Sequence, residues 1–193
     1  MRQLTMILSM LALAGCVAMA KVEKGERAIG DRLAVKIEGA WNQLDGPELG
    51  PAQTWTMEGL PIDQLLLYSG VKDGDLVHAS GGDGKRKDFA FKANMQADEI
   101  VGMFEGMLTR DGSSFKLTRL EPSSFGGLSG FHFEYTLIRK VDNVVLTGVG
   151  WGAVSKGELF AMLYMAPRLA FFARHAADVE RIAMSAKIRQ SAQ

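Results

Sequence analysis

Three short stretches of the chain carry residue types that do chemistry, and each lacks a part that the chemistry requires. His132 and Glu134 would share one face of a predicted strand, but a zinc site needs three or four ligands. Ser129 lacks the complete G-x-S-x-G spacing of a nucleophile elbow, since Phe131 stands where the last glycine belongs. Gly84-Lys85 lacks the first glycine and the hydroxyl residue of a phosphate-binding loop. We therefore expect no enzymatic activity, no cofactor and no metal.

A glycine-bearing strand is the remaining candidate binding feature. Gly148, Gly150 and Gly152 alternate along it and share one face. Missing side chains allow another element or a ligand to approach closely. One interpretation is packing of a helix over this face, or a strongly bent strand. The other is a ligand cleft formed by the three glycines with Phe171 and Phe172.

The N-terminus carries a short apolar segment, Leu4–Ala14, which follows Arg2 and leads through small residues to Cys16, the only cysteine. A transmembrane helix needs about 20 apolar residues, so the segment is too short and is typical of an export signal. A single cysteine excludes an intramolecular disulfide. An ordinary secretory signal that ends at Ala18-Met19-Ala20 is the alternative interpretation.

The sequence Leu13-Ala14-Gly15-Cys16 resembles the lipobox of bacterial lipoproteins. The resemblance implies a signal peptide over residues 1–15, a Cys16 that carries a diacylglyceryl group and a further acyl chain such as palmitate, and a lipidated tether over residues 16–32. It implies the membrane as a partner, through the lipid on Cys16. Val17 after the cysteine, where some lipoproteins have Asp, implies the outer membrane, facing the periplasm of the bacterial cell envelope.

Composition limits the remaining partners. The chain has 22 Lys and Arg against 22 Asp and Glu, and a neutral chain has no electrostatic footprint for nucleic acid. About 178 residues follow the signal, which is enough for one domain, predicted over residues 33–193. We expect its partner to be an unidentified protein or a small molecule.

Hydrophobic periodicity predicts three strands, a helix, four strands and a last helix. The predicted strands are Leu33–Leu44, Thr54–Met57, Leu65–Tyr68, Phe115–Leu120, Phe131–Ile138, Val144–Val154 and Leu159–Met165. The first helix has an apolar stripe of Ile100, Val101, Phe104, Met107 and Leu108. The last helix, Asp178–Lys187, has Val179, Ile182, Ala183 and Ala186 on one face, and a short helical piece follows Pro167.

This element order and the hydrophobic positions of the C-terminal half resemble the Mog1/PsbP-like α-β-α sandwich. The resemblance implies an α+β fold with a curved antiparallel sheet of about six or seven strands between helices. Because that fold serves several unrelated binding proteins, the expected function is a lipid-anchored periplasmic binding or assembly module without catalytic activity. A binder of a small apolar or amphipathic ligand near the Gly148–Gly152 strand is the alternative, and an envelope hydrolase is the weaker alternative.

Overall fold

A computed structural model of the protein describes residues 18–45, 50–78 and 89–189. The predicted signal peptide, Cys16 and the Gly84-Lys85 loop lie outside these residues. Within them, the fold is an α+β sandwich built on antiparallel sheets. No helix among the described residues is long and apolar enough to cross a membrane.

The main sheet has eight strands in the order β1-β4-β5-β6-β10-β9-β8-β7, and every neighbouring pair is antiparallel. A second sheet has three strands in the order β11-β3-β2. The strands are β1 Ala18–Val22, β2 Gly25–Ile29, β3 Leu33–Ile37, β4 Trp41–Asp45, β5 Gln53–Thr56, β6 Gln64–Val71, β7 Ser114–Phe125, β8 Leu128–Ile138, β9 Val145–Ser155, β10 Glu158–Pro167 and β11 Lys187–Ile188. The main sheet is therefore larger than predicted, and the small sheet was not expected.

Helix α1 spans Ala97–Thr109 and covers one face of the main sheet. Its first turn begins where the Glu99 carboxylate accepts a hydrogen bond from the Gln96 backbone N–H at 2.8 Å, a contact that satisfies a free amide of the helix start. Ile100, Val101 and Phe104 of the predicted stripe are buried, and Met103 is buried beside them. The predicted helix is confirmed, and Met107 and Leu108 of its stripe pack half-buried against the same core.

Helix α2 spans Ala173–Ser185 and covers the opposite face of the sheet together with β2, β3 and β11. It buries the predicted face, with Val179, Ile182, Ala183 and Ala186 all less than a tenth exposed. The predicted helical piece after Pro167 is instead an irregular segment, Arg168–Phe172, because Ala170 adopts a φ of 77° that breaks the helix.

Within the predicted tether over residues 16–32, Ala18–Val22 and Gly25–Ile29 are instead strands β1 and β2. β1 pairs with β4, and β2 pairs with β3. Both are short strands at sheet edges, and their described side chains are exposed or half-buried except Ile29, so neither has the apolar pattern of a core strand. Ile29 is 1% exposed in the core, and Val22 packs against the same core while partly buried. The predicted strand Leu33–Leu44 is divided into β3 and β4.

Candidate functional site

The main sheet carries an open groove where α2 leaves part of its face uncovered. The groove, called the α2 groove below, has a volume of about 420 Å³. Its wall on the α2 side is Phe172, Ala176, Glu180 and Met184, and its floor and far wall on β9, β8 and β7 are Thr147, Gly148, Val149, Trp151, His132, Glu134, Arg119, Glu121 and Ser123.

Helical periodicity explains why α2 forms a wall here. Residues four apart lie on one side of a helix, and Phe172, Ala176, Glu180 and Met184 follow this spacing. The buried side of α2 is centred on Val179, so this series forms a flank that turns away from the core. The result is a mixed apolar and acidic wall beside the sheet.

Strand register arranges the floor of the α2 groove in two rows. Glu121, His132 and Trp151 are paired across β7, β8 and β9. His132 Nδ1 lies 3.2 Å from Glu121 Oε1, and its ring lies 5.0 Å from the Trp151 ring between centroids. The histidine side chain is only 14% exposed. The imidazole thus lies between a carboxylate and an aromatic ring on the groove floor.

The second row adds charge. Arg119 lies 2.8 Å from Glu121 Oε2 and 3.6 Å from Glu134 Oε1. Glu180 on the wall adds a third carboxylate to the groove. These acidic side chains are well exposed, so each pair contributes little to stability. The groove offers stacking surface, hydrogen-bond acceptors and an excess of negative charge, which are features for holding a ligand.

A partly buried polar network holds the first turn of α2. Asp63, 1% exposed, accepts hydrogen bonds from the backbone N–H groups of Met57 and Glu58 at 3.0 and 2.8 Å. Glu58 in turn accepts from Arg174 and His175 at 2.8 Å each. These bonds from His175 and then Arg174 lower the pKa of the Glu58 carboxyl. The loop before β6 therefore fastens the first turn of α2.

Tyr164 lies beneath the groove wall, with its ring 5.9 Å from that of Phe172. Burial raises the pKa of its phenol, and the charges of Asp63 and Glu58 add to the rise. Its hydroxyl has no hydrogen-bond partner among the described residues. A phenol held neutral beneath other side chains does not act as a base, so Tyr164 is a packing residue.

The predicted cleft residues do not meet on one face. A β-carbon at Gly148, Gly150 or Gly152 would overlap the rings of Tyr135, Phe133 and Phe131, respectively. The glycine face is thus filled by aromatic side chains of the neighbouring strand β8, on the α1 side of the sheet. Phe171 and Phe172 pack on the α2 side. Only Gly148 and Phe172 also line the α2 groove.

The remaining candidates for chemistry stay separate. Ser129 and His132 are an odd number of residues apart on β8, so their side chains lie on opposite faces of the sheet. His132 and Glu134 do share a face, but no group of three or more His, Cys, Asp or Glu side chains suited to a metal ion occurs in the described part of the chain.

A second concavity of about 380 Å³ lies beside the end of α1. Its two arginines already have partners. Arg139 binds the Asp142 carboxylate and the Pro61 carbonyl, and Arg110 lies 2.9 Å from His78 Nδ1. Because both arginine side chains are already bound to other groups of the protein, this concavity is a weaker candidate site than the α2 groove.

Arg119 and Glu121 are groove residues that the sequence interpretation did not select. The predicted strand, Phe115–Leu120, ended before Glu121. In the structure β7 continues through Pro122 to Phe125 as an edge strand. The alternation of Arg119, Glu121 and Ser123 beside His132 and Glu134 was the available sign of a shared polar face.

Comparison with known proteins identifies the fold. The solution structure of cyanobacterial PsbP (CyanoP) from Synechocystis sp. PCC 6803 is similar at a TM-score of 0.56 and 14% identity, over 94% of this chain and 98% of that chain. LpqN of Mycobacterium tuberculosis, described as involved in cell envelope biogenesis, matches at 10% identity over 92% of this chain and 88% of its own, with a TM-score of 0.37 that is too low to support an argument. No family model and no curated protein sequence matches the chain. The chain therefore has a PsbP-like α+β fold.

Proposed function

We propose that this protein is a non-catalytic binding or assembly module of the bacterial cell envelope, anchored through lipid on Cys16 and facing the periplasm. The sequence Leu13-Ala14-Gly15-Cys16 supports the proposed lipid anchor and cellular location. The PsbP-like fold is compatible with a binding role, although a fold does not by itself determine a function.

The observation that carries the binding role is the α2 groove. It is open, and its wall is fixed by the Glu58 network. Apolar groups such as Trp151 and Met184 alternate there with carboxylates. Sites that hold a ligand combine apolar surface with a few placed polar groups. A polypeptide partner fits this open shape best, and the apolar floor also favours the second candidate, a small amphipathic ligand.

Site-specific photo-crosslinking in the source bacterium tests the role of the groove. Met184 is 76% exposed on the groove wall, so a photo-reactive residue there should form a defined adduct. Glu105, on the exposed side of α1 across the sheet, is the matched control and should form none. Equal adducts at both positions would contradict the groove as the binding face.

The anchor and the ligand class have separate tests. Mass spectrometry of the mature N-terminus should find an acylated Cys16, and Cys16→Ser should release the protein from membranes or leave it unprocessed. A free N-terminus at Lys21 would refute the anchor. A small molecule that copurifies with the protein, and is lost in Trp151→Ala, would support the small-ligand candidate over a polypeptide.

A further inference from the structure

The strand that begins two residues after Cys16 leaves no length for a tether. β1 begins at Ala18, and an extended chain spans at most about 3.3–3.6 Å per residue. The Cα of Ala18 therefore lies within about 7 Å of the Cα of Cys16, whatever the conformation between them. A lipid on Cys16 would bring the start of β1 to the surface of the bilayer.

β1 is firmly part of the domain. It pairs with β4 over five residues, from Ala18 opposite Asp45 to Val22 opposite Trp41. Trp41 is 1% exposed in the core. β1 is the last strand of the main sheet in the described residues, so no described strand pairs with its outer edge. Met19 beside the anchor is 58% exposed, and the interface of a bilayer accepts such an apolar side chain.

We infer that the β1 edge of the main sheet lies directly on the bilayer, so that the domain is held in one orientation instead of moving on a flexible leash. This inference rests on the proposed lipidation of Cys16. The opposite edge, β7, is seven strand spacings from β1, about 33 Å along the sheet. The two edges should therefore differ in their distance from lipid.

Fluorescence quenching by lipid distinguishes the two edges. Lipidation consumes the only native thiol, so an introduced cysteine can be labelled alone in the full lipidated protein. Asp45→Cys labels an exposed position beside β1, and Lys116→Cys labels an exposed position on β7. In vesicles of phosphatidylethanolamine and phosphatidylglycerol with nitroxide-labelled headgroups, we expect strong loss of fluorescence at position 45 and little or none at position 116.

A spacer variant supplies the control. Eight Gly and Ser residues inserted between Val17 and Ala18 add a flexible segment with a root-mean-square span of about 15 Å. This spacer should reduce the quenching at position 45 severalfold and narrow the difference between the two labels. Equal quenching at both positions, or quenching at position 45 that the spacer does not change, would overturn the inference.

Mass spectrometry of the same samples separates this inference from the proposed function. If Cys16 is acylated and the two labels are quenched equally, the inference fails while the anchored module stands. If Cys16 is not acylated, the anchor and the inference fail together, and binding in the α2 groove remains open to its own crosslinking test.

Discussion

Gly150→Ala tests how the glycine strand is packed. A β-carbon at this position would overlap the ring of Phe133. That ring is fully buried and is stacked between Phe104, 6.3 Å away, and Tyr135, 5.8 Å away, between centroids. It cannot turn aside without moving both neighbours, so the added methyl group must shift the strand or the ring.

The expected magnitude follows from two opposing terms. Overpacking a core costs about 1–3 kcal/mol, while replacing a strand glycine recovers about 0.5–1 kcal/mol of chain entropy. The net loss should be about 1–2 kcal/mol, a fall in melting temperature of about 2–8 °C for a chain of this length. Urea denaturation of purified Gly150→Ala and wild-type protein measures it.

Two further variants make this prediction refutable. Gly102→Ala, on the exposed side of α1 with nothing near the new β-carbon, should instead stabilise by about 0.5–1 kcal/mol. In the double variant Gly150→Ala/Phe133→Leu, the smaller side chain should relieve the overlap, so the combined loss should fall short of the sum by more than about 0.5 kcal/mol. Strict additivity, or no loss in Gly150→Ala, would refute the packing argument.

Three other stability predictions use the helices and the network that fastens α2, all measured by denaturant unfolding. Phe104→Ala should lower the free energy of unfolding by about 3–5 kcal/mol. Glu105→Ala, on the exposed side of α1, should change it by less than about 0.5 kcal/mol. Equal effects of the two substitutions would contradict the assignment of the buried side of α1. Asp63→Ala leaves the partly buried N–H groups of Met57 and Glu58 without their acceptor and should cost about 1–3 kcal/mol. The lowered pKa of Glu58 stabilises the fold above the ordinary value of 4.5 and is lost as pH falls through the lowered value. Glu58→Gln should therefore lose less stability than wild type below about pH 4.5, and an unchanged acid dependence would count against the network.

The buried elements were predictable because burial leaves an apolar pattern in their sequence: one apolar face in the helices and in β8, and a nearly continuous apolar run in β10, which is buried on both faces. The stripe of α1 and the face of α2 around Val179 follow from helical spacing alone, and the long strands β8 to β10 follow from apolar runs. β1 and β2 were not predictable, because a short edge strand is stabilised by backbone pairing with its neighbour and leaves little hydrophobic pattern. Their charged residues, such as Lys21 in β1 and Glu26 in β2, are typical of a linker.

The prediction that the three glycines, Phe171 and Phe172 form one cleft was wrong for a different reason. Alternation shows that Gly148, Gly150 and Gly152 share a face, but it does not show which layer covers that face. The information was present in the preceding strand, where Phe131, Phe133 and Tyr135 alternate with the same period. Strand register pairs each glycine with one of these aromatic residues, so a large aromatic ring occupies the space beside each glycine.

The position of the α2 groove relative to the proposed anchor limits what it could bind. β9, which forms the floor with Trp151, is five strand spacings from β1, about 24 Å along the sheet. If the β1 edge lies on the bilayer, the groove therefore lies away from the lipid headgroups and is open to molecules in the periplasm. A lipid taken from the membrane would have to cross that distance, whereas a periplasmic polypeptide would not. If the β1 edge lies on lipid, an adduct from position 184 should contain a periplasmic protein or a periplasmic segment of a membrane protein, and a membrane-spanning segment in that adduct would contradict the combined geometry.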